Sequence, residues 1–326
     1  MKTLLHLNNV SKTFSIHSRA PGSKCKEVRA VSEVNLCVHR GEVLGLVGES
    51  GCGKSTLGKL ATRLLPVDSG SIYFDNIDIT HLSSRRMRPL RRKIQMVFQD
   101  PFSSLNPRMR VQDILAEPFI IHRLTPADMR AQVEQNLRAV GLDAADAQRY
   151  PHEFSGGQRQ RIGIARALSL HPELIIADEP VSALDLSVQA QILALLHNLK
   201  REFSLTYVFI SHDLSVVQRI CTRVAVMYLG RIVETSPTQD IFEKPLHPYT
   251  EMLLQALPVA DPHRRKEYVP SPDIPSALSR PDGCPFHPRC PYAIALCAIQ
   301  QPELVAAGTM QQVACHRYLE LQLRGL

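Results

Sequence analysis

The stretch "GESGCGKS", Gly48 to Ser55, constrains this chain more than any other. It fits the pattern G-x-x-x-x-G-K-[ST], following the apolar run of "EVLGLVGE" and preceding a helical pattern. Glycines there let successive backbone N–H groups turn inward around a phosphate chain, and the helix behind adds its N-terminal dipole. Lys54 would reach the β- and γ-phosphates of a nucleotide, and Ser55 would ligate Mg2+. A glycine-rich turn with no ligand could match the letters by accident. The lysine, together with the strand–loop–helix context, argues for the phosphate site.

Around this loop the pattern alternates. "LIIADEP" and "LTYVFISHD" read as buried parallel strands, and between them Ile192, Leu195, Leu196 and Leu199 recur at i, i+3, i+4, i+7 on one helical face. Residues 125–142 read as a helix with Thr125 as N-cap and Pro126 at its first position. Residues 1–40 look like strands of an antiparallel edge. The whole implies an α/β fold on a parallel sheet. Near residue 258 prolines become frequent and periodicity ends, which reads as a linker into a small C-terminal unit.

Composition narrows the class. The 326 residues are 44% hydrophobic and 21% charged, as in a globular protein, and no run approaches the roughly 18 apolar residues of a membrane span. The opening "MKTLLHLNNVSKTFS" lacks the apolar core and cleavage site of a signal peptide, so a cytosolic, reducing location is expected. The net charge of +7 suits an anionic ligand, a lipid surface or nucleic acid. Its densest run, "RRMRPLRRK", reads first as a solvated helix face and second as a contact with lipid headgroups or a protein. No aromatic residues interleave it, which disfavours single-stranded nucleic acid.

"ELIIADEP" supplies the other half of the site. Asp178 ends an apolar strand, where it can hold the Mg2+ shell, and Glu179 after it can act as general base on an attacking water. "FSGGQRQRIGIARAL" then places Ser155, Gly156, Gly157 and Gln158 at the start of a helix, a second anion-binding element.

With this motif the sequence resembles the nucleotide-binding subunits of ABC transporters, over roughly residues 4–256. The resemblance implies a P-loop NTPase nucleotide-binding domain with a parallel core, an antiparallel β edge and a helical subdomain at about 100–165. It implies ATP and Mg2+ as ligands, with Phe14, Gly48, Ser50, Gly51, Cys52, Gly53, Lys54, Ser55 and Thr56 on ATP and Ser55, Gln99 and Asp178 around the metal. Gln99 of "MVFQDP" matches the Q-loop, Ser182, Ala183, Leu184 and Asp185 match the D-loop, and His212 of "ISHD" matches the switch histidine. Alone, His212 would read as a strand-end histidine; its place in an ordered set makes it catalytic alongside Glu179 and Gln99. In this family two domains dimerise head to tail, and the signature of one caps the ATP of the other.

"VFQDPFSSLNPRM", "IIADEPVSALDLSVQAQI" and "HPYTEMLLQALP" are similar to the dipeptide/oligopeptide importer branch, nearest to the second ATPase subunit of dipeptide importers. That implies a paralogous ATPase as dimer partner, two transmembrane permease subunits, and a periplasmic or extracellular peptide-binding protein. It also implies a peripheral position on the cytoplasmic face of the inner (cell) membrane. Nickel and glutathione importers use similar ATPases, and the ATPase does not touch cargo. Non-transport ABC ATPases of DNA repair or translation carry long insertions or two cassettes, and neither pattern occurs here.

The domains expected are therefore 1–257, the ATPase, and 258–326, the extension. The last 43 residues hold four of the eight cysteines, Cys284, Cys290, Cys297 and Cys315, spaced C-x5-C-x6-C-x17-C with Pro285, Pro288 and Pro291 between them. Four thiolates suit an iron–sulfur cluster or tetrahedral zinc, spacings wider than C-x2–4-C favour the cluster, and unligated thiols are the third reading. The branch resemblance implies 4Fe–4S. His287 and His316 read as loop residues. Cys37, Cys52, Cys25 and Cys221 carry no ligand spacing. A metal staple would give a small unit the stability that its core cannot.

Overall fold

"VLGLV" (β3, Val43–Val47) is buried at every position and runs down the middle of the main sheet. The computed structural model describes residues 2–16, 26–124, 128–257 and 280–326. Before β3, β1 (Thr3–Ile16) and β2 (Lys26–His39) pair antiparallel. After it come α1 (Lys54–Ala61), β4 (Ser69–Phe74), β5 (Ile77–Asp78), α2 (Ser84–Lys93) and β6 (Ile94–Val97). A helical stretch follows: α3 (Pro101–Ser104), α4 (Val111–Ile121), α5 (Met129–Ala139) and α6 (Gly156–Leu168). The chain returns to the sheet with β7 (Leu174–Asp178), α7 (Leu186–Phe203), β8 (Thr206–Ser211), α8 (Leu214–Ile220), β9 (Arg223–Tyr228) and β10 (Arg231–Pro237). Then follow α9 (Thr238–Glu243), α10 (Pro248–Gln255), α11 (Ala295–Ile299), β11 (Val305–Gly308) and β12 (Gln311–Val313).

The main sheet has the order β11-β12-β10-β9-β3-β8-β7-β6, with β9, β3, β8, β7 and β6 parallel. Strand side chains alternate between faces, which sorts the core into two clusters. Ile175, Phe209 and Val226 face Ile192, Leu196 and Leu199 of α7 and the helices α4–α6. Leu44, Ile176 and Ile210 face α1 and the antiparallel strands. Those strands form a sheet of their own, β2-β1-β4-β5, rather than an edge of the parallel one.

Two expectations shift. The helix read from 125 begins at Met129, because Asp128 accepts the N–H of Ala131 as N-cap; Thr125 and Pro126 lie outside the described residues. The C-terminal unit joins the ATPase sheet directly: β12 pairs with β10, Glu234 opposite Val313 and Thr235 opposite Gln312. The expected linker, 258–279, lies outside the described residues, as does Cys25. The basic run is α2, with Met87 its only buried side chain. Among the described residues no helix is long and apolar enough to cross a membrane.

Candidate active site

The loop between β3 and α1 lies at the carboxyl ends of the parallel strands, with β9 on one side of β3 and β8 on the other. Its backbone needs glycine: Gly53 has φ 108°, and a Cβ there would stand 2.1 Å from the Ala30 carbonyl oxygen. Lys54 is buried, and its Nζ donates to the carbonyls of Gly48 (2.7 Å) and Glu49 (2.9 Å), which fixes the ammonium inside the curve of the loop. Ser50, Gly51, Cys52, Gly53, Lys54, Ser55 and Thr56 all line a cleft of about 730 Å3, a size suited to a nucleotide.

On the far wall the two acids diverge. Asp178 closes β7, and its Oδ1 accepts the Ser55 hydroxyl at 2.9 Å. Burial pushes the Asp178 carboxyl up, with the Ser55 hydrogen bond working against that. A buried carboxylate beside a serine hydroxyl is a pair of oxygen donors that fits a hard divalent cation such as Mg2+. Glu179 adopts φ 46°, rare for a side chain with Cβ, so the chain turns sharply after Asp178. Its two oxygens meet Gln99 Nε2 at 2.8 Å and His212 Nδ1 at 3.2 Å. Strands β6, β7 and β8 thus each deliver one of the three predicted catalytic residues to the same point. A carboxylate held from both sides above a phosphate site can orient and deprotonate water.

The D-loop residues Ser182, Ala183 and Leu184 line the cleft, and Asp185 is the residue before α7. In the signature, Ser155 and Gln158 form a reciprocal capping box that opens α6, and Gly156 reaches the cleft. A Cβ on Gly157 would stand 2.4 Å from Val188, so close packing against α7 requires glycine there. Phe14 is not brought to the cleft: it lies on β1, 37% exposed, opposite Val28, and Val28 lines the wall instead.

The four C-terminal cysteines line one small cavity together with His247, His287 and His316. Burial pushes the Cys284 and Cys290 thiols up to about 11. Among the described residues no three His, Cys, Asp or Glu side chains are grouped closely enough to hold a metal ion. The zinc and cluster expectations therefore find no preformed ligand group.

Known proteins resemble this chain along most of its length. Residues 31–182 match the ABC transporter family, and residues 233–297 match the oligopeptide/dipeptide transporter C-terminal region. The oligopeptide transport ATP-binding protein AppF of Bacillus subtilis is 51% identical over 322 residues, covering 97% of this chain and 98% of that protein. This chain belongs to the ABC transporter family. A probable peptide ABC transporter ATP-binding protein of Sinorhizobium fredii, y4tS, is 50% identical over 96% of this ABC chain and 89% of its own length. Among solved structures, the dimeric post-hydrolysis state of the ATP-binding cassette MJ0796 with ADP and Pi is 30% identical with a TM-score of 0.65. It covers 72% of this chain and 99% of that one. The ABC ATPase is thus an ATPase coupled to transport, and its cassette accounts for most of the molecule.

Sequence reasoning passed over Glu49, Tyr249 and Arg289. Glu49 donates its backbone N–H to the Tyr249 hydroxyl at 2.9 Å, and Arg289 binds its carboxylate. The available signals were an acid inside an anion-binding loop and an arginine among the spaced cysteines. Neither names the other without the fold.

Proposed function

We propose that this chain binds ATP·Mg2+ with the loop from Gly48 to Thr56, Ser55, Asp178 and Gln99, and hydrolyses it with Glu179 as base, held by Gln99 and His212. The observation that carries the reading is the convergence of Gln99, Glu179 and His212 opposite Lys54 in one cleft. Ser155 to Gln158 would cap the nucleotide of a second, paralogous ATPase chain, whose own signature caps this one.

The work would drive two permease subunits that import dipeptides or oligopeptides delivered by a binding protein. This chain would sit on the cytoplasmic face of the membrane. Support for the cargo comes from the C-terminal match and from the peptide and oligopeptide names of the relatives. Phe14 would contribute to the adenine site only by moving from its place on β1.

Cys284, Cys290, Cys297 and Cys315 would hold a 4Fe–4S cluster. The support is the donor chemistry, four soft thiols lining one cavity, which would have to draw together to hold it because no three are grouped closely enough. Bound there, the cluster would supply a covalent staple across a unit with little core of its own.

The test is anaerobic co-purification of the chain with its permeases, followed by subunit identification, iron and sulfide analysis, and ATP-dependent uptake of labelled dipeptides, nickel and glutathione. Peptide uptake supports the cargo. Uptake of nickel or glutathione alone replaces it. DNA-stimulated ATPase activity without permeases would overturn the transport reading.

A further inference from the structure

The C-terminal extension reaches the phosphate loop through an arginine. Arg289 lies between Cys284 and Cys290, and its side chain is 3% exposed. Its Nη1 and Nη2 each donate to one Glu49 carboxylate oxygen at 2.8 Å, the two-pronged geometry that suits a guanidinium best. The guanidinium also lies 5.8 Å from the ring centres of Tyr228 and Phe286. Glu49 is the second residue of the loop. Its N–H is held by Tyr249, and its carbonyl accepts from Lys54 at 2.9 Å.

A carboxylate in a loop built to receive phosphates is electrostatically out of place. Unpaired, its charge would repel each phosphate oxygen that Lys54 and the loop N–H groups attract. Glue for the extension alone would be served by any acid on the core surface, but this acid lies five residues from Lys54.

We propose that Arg289 is a positioning residue for nucleotide binding. It neutralises Glu49 in the loop that holds Lys54, so with Glu49 present the phosphate site is complete only when the extension is docked. The inference rests on the ATP reading of the cleft.

The test measures MgATP and MgADP binding and ATPase kinetics in the full-length chain within its purified complex. Arg289→Gln is expected to weaken ATP binding about tenfold and ADP binding less, because ATP carries more charge. The Michaelis constant should rise while turnover at saturation stays within about twofold. Adding Glu49→Gln to the same chain should restore ATP affinity to within about threefold of wild type, since the repelling charge is gone. Arg289→Lys should stay equally close.

Unchanged ATP affinity in folded Arg289→Gln overturns the proposal. So does a double variant that binds no better than Arg289→Gln, which would mark a purely structural bridge. If Arg289→Gln does not fold, more than tenfold weakening in either the double variant or Arg289→Lys has the same force. A wild-type chain that fails to bind ATP would instead sink the reading of the cleft.

Discussion

Gln99 donates from Nε2 to the Glu179 carboxylate at 2.8 Å, joining the end of β6 to the end of β7. His212 meets the other carboxylate oxygen at 3.2 Å, so the base is held between two neighbouring strand ends. Gln99→Ala removes one hold and leaves the phosphate loop intact. Metal-free ATP binding is expected to stay near wild type while turnover falls about tenfold, from loss of orientation. Steady-state ATPase assays beside nucleotide titration in EDTA check this; equal losses in both would place Gln99 on the nucleotide itself.

Ser55 and Asp178 meet at 2.9 Å on the metal side of the cleft. Ser55→Ala should weaken ATP binding in Mg2+ but leave metal-free ATP binding nearly unchanged. Titration with and without EDTA separates the two. An equal loss in both conditions would show that Ser55 serves the phosphates rather than the metal.

Glu173, just before β7, binds Lys93 Nζ at 2.7 Å and Arg40 Nη1 at 2.6 Å, and Arg40 in turn binds Asp75 at 2.7 Å. Partial burial would raise the Glu173 carboxyl, but hydrogen bonds from Lys93 and Arg40 outweigh it and hold the carboxyl below its ordinary value. A depressed carboxylate contributes stability above its unfolded pKa, and that stability is lost as pH falls through the folded one. Glu173→Gln should therefore cost up to about 1 kcal/mol at pH 7, and the difference from wild type should shrink as pH falls below the ordinary glutamate range. Urea midpoints at neutral pH and across the acid range decide it.

Phe286 is 1% exposed and packs against Tyr228, Tyr249 and His247, with ring centres 5.3, 5.4 and 5.8 Å away. Phe286→Ala would open a cavity where the extension meets α10 and β9, at a cost of about 3–5 kcal/mol. The extension should then be cut by protease far sooner than the cassette. Unchanged protection would mean that the β12–β10 pairing and the Arg289–Glu49 bridge hold it without Phe286.

The parts of the site readable from sequence are those in which neighbours in the chain are neighbours in the site. The loop from Gly48 to Ser55 and the pair Asp178–Glu179 each sit on one strand end, so a local pattern carries both identity and place. The face of α7 was legible for the same reason: Ile192, Leu196 and Leu199 are all buried. What stayed hidden depends on contacts between distant segments. Arg289 and Glu49 are 240 positions apart, and Glu234 faces Val313 across β10 and β12. No periodicity in the proline-rich tail encodes a pairing with the core sheet, so the tail looked appended. The helix start is set by Asp128, whose side chain accepts the N–H of Ala131, a pairing that the T-P sequence pattern three residues earlier does not encode.

Peptide uptake by the reconstituted complex, carrying either wild-type chain or Glu179→Gln, tests most directly whether ATP hydrolysis in this cleft powers import. A general base contributes about 10²–10⁴-fold to rate, so the variant should bind ATP with near-normal affinity, accumulate as a closed dimer and lose ATPase activity and uptake together. Normal turnover and uptake by Glu179→Gln, with ATP bound, would contradict it.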